Sequence, residues 1–154
     1  MALFNVRVYG ILIDDQNRLL VSDEFIRGNY ITKLPGGGLE IGEGTRACLV
    51  REFMEEAAIE IKVGNHFYTT DFFQISAFNN TDQIISIYYR VHSGNTNAVL
   101  TKEKAFDFLP AQVEDEKSTA EHLRWIHLND LTENTMTLPI DKVAIKMLLD
   151  ERRF

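Results

Sequence analysis

Three glutamates in the middle of the chain have the spacing of one helix face. Glu52, Glu55 and Glu56 stand at positions i, i+3 and i+4. At about 100° per residue they occupy an arc of about 100°, so their carboxylates come within reach of one another. Such like charges destabilise a bare helix by about a few tenths of a kcal/mol per pair, a cost that a bound cation offsets. Hard oxygen ligands on one rigid face suit Mg²⁺, with Mn²⁺ as a substitute, better than zinc.

The residues before these glutamates favour a ligand site over the alternative, a solvated acidic helix face. Gly36-Gly37-Gly38 provides backbone that can approach a ligand closely. Glu43 stands just before the helix, near the positive end of its dipole. Arg51 can pair with Glu55 at i+4 and hold that carboxylate in orientation. Together these features indicate a metal site opposite a glycine-rich turn.

The glutamates require a helix, and one is predicted from Thr45 to Ile59. Thr45 suits the N-cap, Gly44 opens the turn, and residues 46–58 contain no proline or glycine. On the helical wheel the apolar residues fall on roughly one half of the circumference; they are Leu49, Phe53, Ala57, Val50, Met54, Ala47 and Ala58.

The segment from Gly37 to Ile59 resembles the Nudix box of the Nudix hydrolases, in its MutT-like form. The family pattern is Gly, five residues, Glu, seven residues, Arg-Glu, an aliphatic residue, any residue, Glu-Glu, any residue, Gly and an aliphatic residue. All the charged positions match in this chain, which reads Gly37, Glu43, Arg51-Glu52, Phe53, Met54, Glu55-Glu56, Ala57, Ala58, Ile59.

The box departs from the family pattern at two positions. Phe53 stands where an aliphatic residue is usual, a change that an apolar core contact tolerates. Ala58 replaces the usual glycine after the helix. This second departure predicts that residue 58 need not adopt the left-handed conformation, and that the helix end is longer or stiffer.

The resemblance implies a fold and an activity. The implied fold is a Nudix-type α/β/α sandwich with a mixed β-sheet, a central catalytic helix and a C-terminal helix. The implied activity is Mg²⁺-dependent hydrolysis of a phosphoanhydride bond in a nucleoside diphosphate linked to another moiety. The alternative is a non-catalytic Nudix-fold module for ligand binding or regulation. Such modules have usually lost the glutamates of the box, and here Glu52, Glu55 and Glu56 are all present.

The resemblance also implies roles for the residues of the box. Glu55 and Glu56 would be the principal metal ligands, with the Gly37 carbonyl as an additional one. Glu52 would be either a ligand or the base that activates water, a role that varies within the family. Arg51 would orient the carboxylates. Catalysis is thus expected from Glu52, Arg51 and Glu56. Glu43 would either act behind the ligands or close the loop onto the helix.

Candidates outside the box are less specific. Arg27 and Lys33 precede the glycine-rich turn and would either meet substrate phosphates or lie on the surface. Glu116 and Glu121 fall where family members often place a further catalytic or metal-binding glutamate; the other interpretation is a solvated acidic loop. The identity of the substrate, the general base and the number of metal ions do not follow from the sequence.

The remaining elements follow from hydrophobic periodicity and turn residues. Residues 4–13 and 18–21 predict a β-hairpin around Asp14-Asp15-Gln16-Asn17. A strand over 30–34 should stop at Pro35. Residues 94–121 predict mostly loop, with a short element near 106–109. The other predicted elements are strands at 67–75, 84–91 and 123–128 and a closing helix with Pro139 in its first turn.

Composition limits the class of protein. A chain of 154 residues fits one domain, expected to span 1–154. A net charge of −7 argues against a nucleic-acid partner, but a bound metal ion still permits a small phosphorylated one. The single cysteine excludes an intrachain disulfide. No signal-peptide pattern and no membrane-spanning apolar run are present, so a cytoplasmic protein is expected, with a homodimer among the expected states.

Overall fold

The computed structural model describes residues 1–152 of the chain, which form a mixed α/β structure. These residues contain two α-helices, α1 (Thr45–Ala57) and α2 (Pro139–Glu151). The strands are β1 (Phe4–Leu12), β2 (Arg18–Ile26), β3 (Asn29–Lys33), β4 (Gly36–Gly38), β5 (Lys62–Thr69), β6 (Gln83–His92) and β7 (Ala120–His127). The chain divides into two compact units. The first comprises Met1–Ile13 and Pro35–Val99, and the second comprises Asp14–Leu34 and the chain from Leu100 onward.

The first unit contains a four-stranded mixed sheet in the order β4-β1-β6-β5. Strand β1 runs parallel to β6 and antiparallel to β4, with Val8 opposite Gly37. Strand β5 runs antiparallel to β6. Helix α1 contacts β4, β1 and β5, and its buried residues are Cys48, Leu49, Phe53 and Ala57. The largest fully buried side chains of this unit are Ile11, Leu12, Leu49, Phe53, Ile59 and Tyr88.

The second unit contains a three-stranded antiparallel sheet, in the order β3-β2-β7, and helix α2. Asp23 lies fully buried in this sheet. Its carboxylate accepts hydrogen bonds from Thr32 Oγ1 at 2.7 Å and from Arg124 Nε and Nη2 at 2.7 and 2.9 Å. These donors offset the cost of removing the carboxylate from water.

The prediction of a hairpin between the first two strands is wrong. Strands β1 and β2 belong to different sheets. Strand β1 has β4 on one side and β6 on the other, so both of its edges are occupied. Strand β2 pairs instead with β3 and β7.

The other predicted elements are present with shifted bounds. A turn was expected at Gly36–Gly38, but these residues form β4. Strand β5 spans Lys62–Thr69 rather than residues 67–75. The loop after residue 94 carries 3₁₀ turns at Thr96–Ala98 and Pro110–Val113. Helix α2 begins at Pro139, as predicted, with the proline in the first turn. Within residues 1–152, no helix is both long enough and apolar enough to cross a membrane.

Candidate metal and active site

Helix α1 begins without a side-chain cap. Its N-cap is Gly44, which makes no side-chain hydrogen bond, so the prediction of Thr45 as the N-cap is wrong. The Thr45 hydroxyl instead lies 2.7 Å from the Tyr89 hydroxyl on β6. The Arg46 guanidinium stacks 4.9 Å from the centre of the Tyr89 ring. Tertiary contacts with β6 therefore anchor this end of the helix in place of a local cap.

Helix α1 ends at Ala57, two residues earlier than predicted. Ala58 follows in the left-handed conformation, with φ 54° and ψ 35°, and its N–H donates to the Met54 carbonyl at 3.1 Å. The expectation that residue 58 need not be left-handed is wrong. The chain must satisfy the last carbonyls of the helix and then turn to bury Ile59. The left-handed turn accomplishes both despite the steric cost of the Ala58 Cβ.

The buried face of α1 differs from the predicted apolar half. Val50 and Met54 remain 40% and 45% exposed. Glu52 and Glu56 instead border the packed side, because the neighbouring β4 consists of glycines and presents no side chains to the helix. The buried residues of the helix are Cys48, Leu49, Phe53 and Ala57.

Glu52 lies directly against Gly37. A β-carbon on residue 37 would overlap all three atoms of the Glu52 carboxyl group. The Glu52 side chain is only 13% exposed. Helix and strand therefore approach so closely that the carboxylate occupies the space of a missing side chain.

Arg51 connects the loop before the helix to the glutamates. Its Nε and Nη2 donate to the two Glu43 carboxylate oxygens at 3.0 and 2.7 Å. Its Nη1 lies 2.9 Å from Glu52 Oε1 and 3.3 Å from Glu55 Oε2. Its Nη2 also donates to the Gly38 carbonyl at 3.2 Å. The expected pair of Arg51 with Glu55 is thus present, and Glu43 closes the loop onto the helix.

The charges of this cluster stabilise one another. The hydrogen bonds from Arg51 and from the Glu40 backbone lower the pKa of Glu43 to about 2. The hydrogen bond with Glu43 is also the main cause that raises the pKa of Arg51 above its ordinary value. Cys48, which is buried beside them, donates to the Gly38 carbonyl at 3.6 Å. Burial is the main cause that raises the pKa of its thiol to about 12, so it remains protonated at neutral pH.

Glu56 and Glu55 complete the acidic face. Glu56 Oε2 accepts a hydrogen bond from the Gly36 N–H at 3.4 Å. The Glu55 side chain is 59% exposed. Across residues 1–152, no three His, Cys, Asp or Glu side chains are grouped to hold a metal ion. The donor set nevertheless fits a hard divalent cation, since it consists of carboxylate oxygens on one helix beside backbone that lacks side chains.

Lys33 and Glu121 lie in the second unit, and both are near Glu24. Lys33 Nζ forms an ion pair with Glu24 Oε2 at 3.0 Å, and its side chain is only 12% exposed. Glu121 belongs to β7 rather than to a loop and stands opposite Glu24 in the strand register. The expectation of Glu121 in a loop is therefore wrong. The substrate contacts expected of these two residues stay predictions.

Glu116 lies beside Gly28, the residue that follows Arg27, in the second unit. Arg27 and Gly28 form the turn between β2 and β3, and both have positive φ, 50° and 77°. A β-carbon on Gly28 would lie 3.5 Å from the Glu116 Cγ. This neighbourhood was not predicted, and a role for either residue toward substrate also stays a prediction.

Three residues of the first unit contribute to the site but were not predicted from the sequence. Tyr89 anchors the start of α1, the Gly38 carbonyl accepts from Arg51, and Gly10 lies beneath Phe53. The glycine run at 36–38 was a signal for the second of these. No local sequence pattern predicts the contacts of Tyr89 and Gly10, because their partners are distant in sequence.

Comparisons with known proteins address the family and the fold of the chain. A family model, NUDIX domain, matches residues 3–148. The fold is similar to the E. coli ORF135 protein, with TM-score 0.66 and 18% identity over 97% of this chain and 91% of that one. It is also similar to the MutT NUDIX hydrolase of Burkholderia pseudomallei, with TM-score 0.63 and 18% identity over 94% and 98% of the two chains.

A UDP-X diphosphatase is a further structural neighbour, with TM-score 0.60 and 15% identity over 97% of this chain and 64% of that one. No curated protein matches the chain in sequence. At these identities the solved structures show the likeness of the fold, including its mixed sheet and two helices. The family model, which extends over nearly the whole sequence, shows the family. The chain belongs to the NUDIX family of hydrolases.

Proposed function

We propose that the protein uses a divalent metal ion, Mg²⁺ or in its place Mn²⁺, to hydrolyse a phosphoanhydride bond in a nucleoside diphosphate linked to another moiety. The principal support is the position of the glutamates of α1 against the glycine strand. Glu52 lies against Gly37, and Glu56 accepts a hydrogen bond from the Gly36 N–H. The absence of side chains on β4 lets these carboxylates lie directly against its backbone.

The bound ion would be held by Glu55 and Glu56, with the Gly37 carbonyl as an additional ligand. The metal would neutralise charge on the phosphoryl oxygens and lower the pKa of bound water. Glu52 would serve as a further ligand or as the base that accepts the proton of that water. Arg51 would hold the carboxylates of Glu52 and Glu55 in place, as its contacts at 2.9 and 3.3 Å indicate.

The substrate class is proposed at the level of a nucleoside diphosphate derivative. Family membership supports a phosphoanhydride substrate, and the similarity to a UDP-X diphosphatase makes uridine diphosphate compounds a natural part of a substrate panel. A general nucleic-acid substrate is disfavoured by the net charge of −7.

The proposal is tested by measuring release of phosphate and of nucleoside monophosphate from a panel of nucleotides, nucleotide sugars and dinucleoside polyphosphates. Hydrolysis should require Mg²⁺ or Mn²⁺ and stop with a chelator. Glu56→Gln should lose most of the activity, because it removes one charged ligand while preserving side-chain shape. Glu60→Gln makes the same change at an exposed residue beyond the helix and should retain activity. Metal-independent turnover, or full activity in Glu56→Gln, would overturn the proposal.

A further inference from the structure

The side chain of Phe53, on the buried face of α1, packs directly over Gly10 of β1. The ring is fully buried. A β-carbon built on Gly10 would lie 2.6 Å from Phe53 Cε2, 2.9 Å from Cζ and 3.3 Å from Val91 Cγ1. Real β-carbons essentially never come within 3.0 Å of another heavy atom, so the ring occupies space that the side chain of any other residue at position 10 would need.

Gly10 is also joined to the segment that carries the glycine strand. Its N–H donates to the Pro35 carbonyl at 2.9 Å, one residue before β4. Strand β1 then pairs with β4, with Val8 opposite Gly37. The backbone below Phe53 and the backbone below Glu52 are therefore parts of one hydrogen-bonded pair of strands.

Two consecutive side chains of α1 thus rest on two glycines of adjoining strands. Phe53 lies over Gly10, and Glu52 lies over Gly37. Because the helix is rigid on this scale, the depth at which the Phe53 ring packs fixes how closely the preceding residue, Glu52, approaches β4. A ring that is raised or lowered carries the Glu52 carboxylate with it.

We propose that Gly10 and Phe53 form a positioning pair that sets the height of α1 over the glycine strand, and thereby the affinity of the glutamates for a divalent ion. The proposal rests on the function proposed above. Both residues are buried in the packed interior, so neither would contact the metal or the substrate. Their effect passes through the placement of the helix backbone, which distinguishes them from the ligands.

The test is a double-mutant cycle made of Gly10→Ala, Phe53→Leu and the combined variant. Gly10→Ala adds a methyl group where the ring lies, and Phe53→Leu leaves a gap at the same place. The combined variant puts the methyl group into the gap. Ile11→Val is the control: Ile11 is equally buried on β1, but strand alternation points it to the opposite face from Gly10.

Two readouts separate placement of the helix from loss of stability. The first is the dissociation constant for Mn²⁺, followed by electron paramagnetic resonance. The second is the labelling rate of Cys48, the one cysteine of the chain, by a thiol reagent under native conditions. Cys48 is buried in the wild-type protein by the same packing that seats α1. Because lost stability also exposes a buried thiol, each labelling rate is corrected for the free energy of unfolding of that variant, measured by urea denaturation, and then reports the placement of the helix without any metal.

Gly10→Ala should weaken Mn²⁺ binding by roughly tenfold or more, as expected when a group supporting the ligands is disturbed, and should raise Cys48 labelling several-fold. Phe53→Leu should do the same to a smaller extent. The combined variant should recover most of both losses, and Ile11→Val should change neither. If Gly10→Ala fails to fold, the comparison of Phe53→Leu with the combined variant still measures the recovery.

Wild-type Mn²⁺ affinity and Cys48 labelling in folded Gly10→Ala would overturn the proposal. A combined variant no better than Phe53→Leu would also overturn it. If the wild-type protein bound Mn²⁺ and the cycle behaved as expected but no substrate were hydrolysed, the proposed function would fail and the positioning pair would stand.

Discussion

The carboxylate of Glu52 occupies the space that a side chain on Gly37 would need. The overlap involves both oxygens and the carboxyl carbon of Glu52. The flexible end of a side chain meets the glycine here, so an added methyl group can displace the carboxylate without distorting the fold. Glycine is therefore needed at position 37 to leave room for the Glu52 carboxylate, and not to allow the strand to form.

Gly37→Ala is accordingly expected to leave the fold intact and to lower metal-dependent hydrolysis by about 10- to 100-fold, the range found when groups that orient metal ligands are removed. The measurement is kcat/KM with Mg²⁺, accompanied by a thermal melt. Gly38→Ala is the matched control, because a β-carbon there comes no closer than 3.8 Å to any neighbour, the Arg7 Nη1. Equal losses in the two variants would contradict the role assigned to Gly37.

Ala58→Gly is expected to stabilise the protein by about 1 kcal/mol, since Ala58 bears a left-handed conformation that costs an L-residue about 1–2 kcal/mol and costs glycine little. The gain is partly offset by the larger entropy of glycine in the unfolded chain. Urea denaturation measures the difference. Ala47→Gly, at an exposed position within α1, should instead destabilise by about 0.5–1 kcal/mol. A destabilised Ala58→Gly would show that the conformation carries no strain.

The sequence predicted the helix, its three glutamates and the pair of Arg51 with Glu55, because each depends on spacing within a few residues. It did not predict the contact of Phe53 with Gly10, which joins positions far apart in the chain. The left-handed Ala58 was missed for a related reason: local propensity disfavours it, and burial of Ile59 outweighs that preference. Glycines at 36–38 predicted a turn, whereas pairing with β1 makes them a strand.

Glu43→Gln is expected to reduce stability in a manner that depends on pH. The pKa of Glu43 is lowered to about 2, chiefly by its hydrogen bonds with Arg51. A carboxyl group with a depressed folded-state pKa contributes stability that is fully present above its unfolded pKa. That contribution is lost as the pH falls from about 4.5 toward about 2. The free-energy difference between wild type and variant should therefore be constant above pH 5 and shrink below it.

Urea denaturation at a series of pH values measures this difference. Glu40→Gln removes the same charge from a more distant partner of Arg51, at 3.8 Å and largely exposed, and supplies the control for a general effect of charge. A Glu43→Gln difference that stayed constant down to pH 2.5 would argue against the ion pair as its source.

Divalent cations are expected to raise the melting temperature of the wild-type protein more than sodium chloride does. Glu52, Glu55 and Glu56 repel one another on α1, and Arg51 balances only part of their charge. An ion that binds only the folded state stabilises it by mass action, by about 2.7 kcal/mol at 100 times its dissociation constant. For a chain of 154 residues the corresponding shift is several degrees.

Mg²⁺ and Mn²⁺ should both produce this shift, whereas sodium chloride at the same ionic strength acts only by screening. The double variant Glu55→Gln/Glu56→Gln should lose the shift caused by Mg²⁺ and keep the small response to sodium chloride, because it removes the two principal ligands. A solvated acidic helix face, the competing interpretation, gives similar small shifts with all salts at matched ionic strength. Equal shifts with magnesium and sodium, or an undiminished magnesium shift in the double variant, would show that the glutamates of α1 do not bind a metal ion.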